Sequence, residues 1–130
     1  MAGADALGKP AIHPRSDWGA RAPSNSVGTA SSLRFAVIHH SATGNDYQPA
    51  DVPGILRSIQ AYHMDSNGWS DIGYNFAVDR FGGIWEARDG SLLRNSIGAH
   101  AEGFNTGSVG IVGLGNFSTG ATTDAQVSSI

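Results

Sequence analysis

A stripe of apolar residues sets the first constraint. Val52, Ile55, Leu56, Ile59 and Tyr62 recur at helical spacing, which predicts a helix over about 50–66 with one face to bury. Pro53 falls near the first turn, where a missing N–H costs little, and Asn67-Gly68 supplies a left-handed stop. That face needs something to pack on. Phe35–His40 (FAVIHH) and Ser108–Gly113 (SVGIVG) are short runs of β-formers and read as buried strands. Residues 74–79 and 83–87 read as a hairpin turning at 80–83, and 97–101 as a further short strand. Glycine inside 108–113 marks a close approach by backbone or ligand.

Composition narrows the classes. A chain of 130 residues allows one compact core, and 40% apolar with 15% charged residues is globular, neither disordered nor fibrous. Net charge is -3, and lysine occurs only at Lys9, so neither nucleic acid nor a polybasic membrane anchor is an expected partner. The charge is uneven: +2 over residues 1–34 and -5 over the remainder. No apolar run approaches the roughly 18–20 residues of a membrane span. Cysteine is absent, which removes disulfides, CxxC pairs and cysteine-based zinc fingers from this chain.

The two ends carry little pattern. Residues 1–14 read as an extended or disordered lead-in, with Pro10 and Pro14 opposing helix and no secretory signal over the first eight. Residues 15–34 read as a surface arm pinned by Trp18. A helix opens within 122–130, with Thr123 and Gln126 at capping-box spacing. It runs to the last residue just where an apolar face should develop, so the expected domain, 15–130, is cut short of its full length.

The residues able to carry chemistry are histidines on separate elements. His39 and His40 are adjacent at a strand end, where side chains alternate faces. His63 lies near a helix C-terminus, which favours a cation, and His100 sits in a glycine-rich stretch. Taken singly, each reads as readily as a structural histidine, Trp69 as a lid over the core, and Glu86 with Arg88 as a surface pair. Together with Tyr74, the histidines gather at strand and helix ends, the usual material of metal and catalytic sites. No nucleophile elbow, phosphate loop or HExxH motif occurs, which removes elbow-type serine hydrolases, P-loop NTPases and common zinc proteases.

Four blocks then become recognisable: SDWGAR, VIHHSATGNDY, SIQAYHMDSNGWSDIGYNFAVDRFGGIWEAR and GAHAEGFNTGSVGIVGLGNF. Ordered and spaced as they are over 16–130, they resemble the peptidoglycan recognition protein family, which includes zinc-dependent N-acetylmuramoyl-L-alanine amidases. The resemblance implies an α/β fold: a central mixed β-sheet flanked by helices, with a groove across one face. It implies hydrolysis of the amide between N-acetylmuramic acid and L-alanine of peptidoglycan. It also implies a secreted or wall-associated, monomeric protein; members that lost the metal only bind. Matched residue by residue, His39 takes the place of a zinc ligand and Tyr74 of the catalytic tyrosine. His40, Ser41, His63, His100 and Asn105 take muramyl-peptide contacts. Gly68 and Trp69 match the pair accompanying preference for diaminopimelate over lysine, and Arg88 the arginine facing the extra carboxylate, a group that suits a guanidinium fork.

The departures define what to test. The family's other zinc ligands, a His and a Cys, have no counterpart here, and Ala87 stands where glycine is usual. Catalytic zinc takes three protein ligands and an open position, so the expectation is an incomplete zinc site. A non-catalytic muropeptide-binding module and a plain α/β domain with structural histidines remain as alternatives.

Overall fold

A computed structural model describes residues 10–101, 103–117 and 122–130. The sheet has four strands: β1 (Phe35–His40), β2 (Phe76–Val78), β3 (Ile84–Glu86) and β4 (Ser108–Gly113), in the order β1-β4-β2-β3. β4 runs parallel to both β1 and β2, while β2 and β3 form an antiparallel hairpin, so the sheet is mixed. The helix α1 (Val52–Ala61) packs its stripe on this sheet. Val52 and Leu56 are fully buried and Ile59 nearly so, in one core with Trp18, Ile72, Ala77, Trp85, Ala87 and Val112. The Trp18 indole donates from Nε1 to Glu86 O at 2.7 Å, which pins the 15–34 arm to β3 as its single large aromatic predicts.

Past Ala61 the helix does not continue as an α-helix. Residues Tyr62–Ser66 form a wider π-type turn, closed by Asn67 N–H on Tyr62 O at 3.2 Å. Position 63, four residues past Ile59, continues the buried face of α1, whereas Tyr62, expected in the stripe, is 61% exposed. The wider turn shifts the phase of the residues that follow it. Gly68, at φ 72°, ends the turn in the left-handed conformation.

The structure corrects several other expectations. β1 lies at the sheet edge, with Phe35 and Ile38 exposed, because among the described residues only β4 flanks it; an apolar run alone does not reveal which strand has two neighbours. Residues 97–101 form no strand: Ile97 N–H reaches Gly28 O and Ala99 N–H reaches Gly73 O, two separate ties rather than a ladder. Of the lead-in, 1–9 lies outside the described residues, while His13 docks on β3, pairing with Trp85 and stacking on its indole at 4.1 Å. Glu86 and Arg88 do not form a surface pair, since both are buried. Helix α2 (Asp124–Ser129) is capped by Thr123 Oγ1, which accepts from Gln126 N. The other half of the capping box is absent, because the buried Gln126 amide donates instead to Val78 O at 2.8 Å.

A buried carboxylate ties these parts together. Asp71 is fully buried and accepts from Arg15 Nη1 (2.8 Å), Asp89 N (2.9 Å), Gln60 Nε2 (2.9 Å) and Ile72 N (2.8 Å). One side chain thus joins the N-terminal arm, α1 and the segment after β3, with its acceptor sites occupied, the condition under which a buried charge is tolerated.

Candidate functional site

An open cleft of about 710 Å³ runs between α1 with its π-type turn and the loop after β1. Ile55, Ile59, Tyr62 and His63 line one wall, Ser41, Thr43 and Tyr47 the other, and Tyr74 lies between. The loop wall is held by backbone: Ser41 Oγ accepts from Gly115 N at 2.9 Å, and the Tyr47 hydroxyl donates to Leu114 O at 2.9 Å.

A file of aromatic rings leads from this cleft. Trp69 lies 4.6 Å from His63, His63 5.5 Å from Tyr74, Tyr74 5.5 Å from His39, and His39 5.1 Å from His100, centroid to centroid. Four chain segments thus bring together five of the residues singled out in the sequence. The file exists because His39 lies near the end of β1, beside β4, and His63 follows Ile59 by four residues onto the buried face of the helix. His100 lies in a slot that only glycines leave open. A Cβ at Gly110 would fall 2.7 Å from its Nδ1 and closer still to Cγ, and one at Gly98 would fall 2.6 Å from Cδ2. This is the close approach that glycine within 108–113 predicts.

The remaining predicted residues stand apart from the file. His40 points to the other face of β1, as strand alternation requires; its Nδ1 accepts from Phe117 N at 3.1 Å. Asn105 holds the loop rather than a ring: its Oδ1 accepts from the backbone N–H of His100 (2.9 Å) and Ala101 (2.8 Å). Arg88 is buried, with Nη1 donating to Ile72 O at 3.0 Å and Nε unpartnered among the described residues. Ser108 was not legible as a site residue. Its hydroxyl meets His100 Nε2 at 3.3 Å, a contact between a strand start and a loop that no local pattern signals.

Electrostatics keep the rings neutral. Burial, then the nearby Arg88 charge, pushes the His63 pKa down to about 4, against a smaller upward pull from Asp71. Burial, then His39 and Arg88, pushes His100 down to about 4 as well. Burial lowers His39 and raises the Tyr74 phenol, so the latter keeps its proton. His63 Nδ1 accepts from Gly73 N at 2.9 Å, which leaves its proton on Nε2. The site therefore offers neutral donors, a phenol and an imidazole, above a buried guanidinium.

The described residues do not make up a zinc site by themselves: catalytic zinc takes three protein ligands, and His39 Nε2 is engaged in a 3.0 Å hydrogen bond to His100 Nδ1. Among the described residues, no group of three His, Cys, Asp or Glu converges where an ion could be held.

Comparison with known proteins agrees with the fold. Residues 29–130 match the family described as N-acetylmuramoyl-L-alanine amidase. Peptidoglycan-recognition protein SC2 of Drosophila simulans is 42% identical over 118 residues, covering 91% of this chain and 62% of the relative. The human N-acetylmuramoyl-L-alanine amidase is 35% identical over 133 residues, covering 95% of this chain and 21% of that protein. Among solved structures, peptidoglycan recognition protein-LE, in complex with tracheal cytotoxin (monomeric diaminopimelic acid-type peptidoglycan), superposes with a TM-score of 0.83. It shares 34% identity, covering 91% of this chain and 68% of that one. The chain thus spans about three fifths of the length of the Drosophila relative.

Proposed function

The chain belongs to the N-acetylmuramoyl-L-alanine amidase family of peptidoglycan recognition proteins, and from that premise we propose that its cleft binds diaminopimelate-type muropeptides. We further propose that the whole protein hydrolyses the amide joining N-acetylmuramic acid to L-alanine, in the secreted or wall-associated setting where that bond occurs. The observation that carries the reading is the file of neutral rings from Trp69 to His100 beside an open cleft.

The roles follow from the chemistry of each group. Tyr74 keeps its phenolic proton and is suited to donate to the scissile carbonyl as negative charge develops on its oxygen. His63, with its proton on Nε2, is suited to donate to a peptide carbonyl of the ligand. Trp69 offers an aromatic surface at the end of the file. Arg88 contributes charge from below rather than a free fork: it already lowers the pKa of both His63 and His100, and the same positive potential favours an anionic ligand group such as the extra carboxylate of diaminopimelate. Peptidoglycan recognition protein-LE, whose structure was solved with a ligand of that type, supports the choice of ligand.

A second reading, recognition without hydrolysis, rests on the same cleft and rings, which can hold a muropeptide without a metal. Zinc would supply a polarised carbonyl and an activated water, and no step here is routed through it. Titration calorimetry with diaminopimelate- and lysine-type muropeptides tests the binding proposal. Tighter binding of the first supports it, and no binding of either overturns it. Release of free stem peptide, measured beside bound zinc, separates the amidase from the binder.

A further inference from the structure

The hydrogen bonds behind His39 have a direction that their partners impose. The Ser108 hydroxyl lies 2.6 Å from Phe104 O and 3.2 Å from Asn105 O. A carbonyl oxygen can only accept, so the single hydroxyl proton is spent there. Toward His100 Nε2, at 3.3 Å, the hydroxyl presents a lone pair, and the imidazole must donate. A neutral imidazole carries one N–H, so His100 Nδ1 is an acceptor. His39 Nε2, 3.0 Å away, must then be the donor in that contact. Neutral His39 is left with its lone pair on Nδ1, to which no hydrogen bond is made among the described residues.

We infer that Ser108, acting through His100, sets the tautomer of His39, with the proton on Nε2 and the lone pair on Nδ1. Ser108 and His100 are positioning residues in this arrangement. The slot between Gly98 and Gly110 fixes the His100 ring, and Ser108, fully buried at the start of β4, fixes which nitrogen faces which partner. The consequence is that Nδ1 is the His39 nitrogen available to a ligand, an electrophile or an ion. The inference goes beyond the proposed function and holds whatever the cleft binds, because it concerns the unliganded protein.

Two-bond proton–nitrogen spectra of the nitrogen-15-labelled chain at pH 7.5, above the ordinary imidazole range, test it without any ligand or activity assay. In the wild type, His39 and His100 should both show a protonated Nε2 and an unprotonated Nδ1. Ser108→Ala removes the acceptor of His100. The minor Nδ1–H form of His100 should then rise about fivefold, the factor that one lost hydrogen bond carries, and His39 should shift with it. Ser108→Cys, which keeps the volume but weakens the acceptor, should move both rings the same way and serves if the alanine variant does not fold. A wild-type His39 protonated on Nδ1 overturns the inference, as does a folded Ser108 variant whose two rings keep their wild-type tautomers.

Discussion

Asp71→Ala should be among the most damaging single substitutions in this chain, although the residue touches no part of the cleft. The carboxylate is fully buried, and its Arg15 partner is 13% exposed. Removing Asp71 leaves the Arg15 guanidinium with only the more distant Asp89 carboxylate, 3.7 Å away, and breaking a buried pair costs about 4 kcal/mol (range 3–5). The orphaned N–H groups of Ile72 and Asp89 act in the same direction. Set against a total stability of roughly 5–15 kcal/mol, this leaves a marginal fold. Urea unfolding followed by tryptophan fluorescence reads the effect. At a slope of roughly 1.5 kcal/mol per molar, the midpoint should fall by roughly 2–3 M. Arg15→Ala and the double variant complete a cycle in which the two losses should be clearly less than additive. A midpoint shift below about 0.5 M, or full additivity, would show that Asp71 does not tie the arm, α1 and the segment after β3 together, and would refute the reasoning.

Trp69→Phe should weaken binding of diaminopimelate-type muropeptides roughly tenfold, about 1.4 kcal/mol, and lysine-type ones less; equal losses by calorimetry would end the selectivity role. It is a cleaner probe than Arg88→Ala, which also strips the bond to Ile72 O from the interior. Gly110→Ala should drive the His100 ring from its slot and destabilise the fold by about 1–3 kcal/mol; unchanged His100 resonances and melting temperature would contradict it. Acid should destabilise the protein through His63. Its folded pKa of about 4 lies below the ordinary 6.5, so the unfolded chain takes the proton first as pH falls. The stability this group provides is complete above pH 6.5, declines between 6.5 and 4, and levels off below 4, a loss of roughly 3 kcal/mol. His63→Gln should flatten that slope in unfolding curves taken across this range, and an unaltered slope would assign the acid sensitivity elsewhere.

Local pattern was enough for the scaffold. The bounds of β1 and β4, the hairpin, the buried Val52, Leu56 and Ile59 and the Thr123 cap follow from periodicity and turn chemistry, which act between near neighbours in the chain. What was not legible depends on distant segments. The edge position of β1 is a matter of sheet order, and the ties of 97–101 to Gly28 and Gly73 are single long-range bonds. The residue pattern singled out His39, His63, Trp69, Tyr74 and His100, the resemblance gave them roles, and the structure gathers them into one file. It gives His40 and Asn105 to other partners, because strand alternation turns one away and loop backbone engages the other. Ser108 escaped because a serine at the start of a strand has no signature; only the fold sets it against His100.

The widened turn at Tyr62–Ser66 has a consequence for insertions and deletions. Each residue of an α-helix advances the side-chain direction by roughly 100°. Deleting one residue there, so that regular winding resumed, would rotate the segment that follows, and with it the indole at position 69, relative to the imidazole. The flanking helix would keep its composition and its buried stripe. A length change of one residue is therefore a mutation of binding chemistry in this segment, and homologous chains that differ in length here should differ in what they hold.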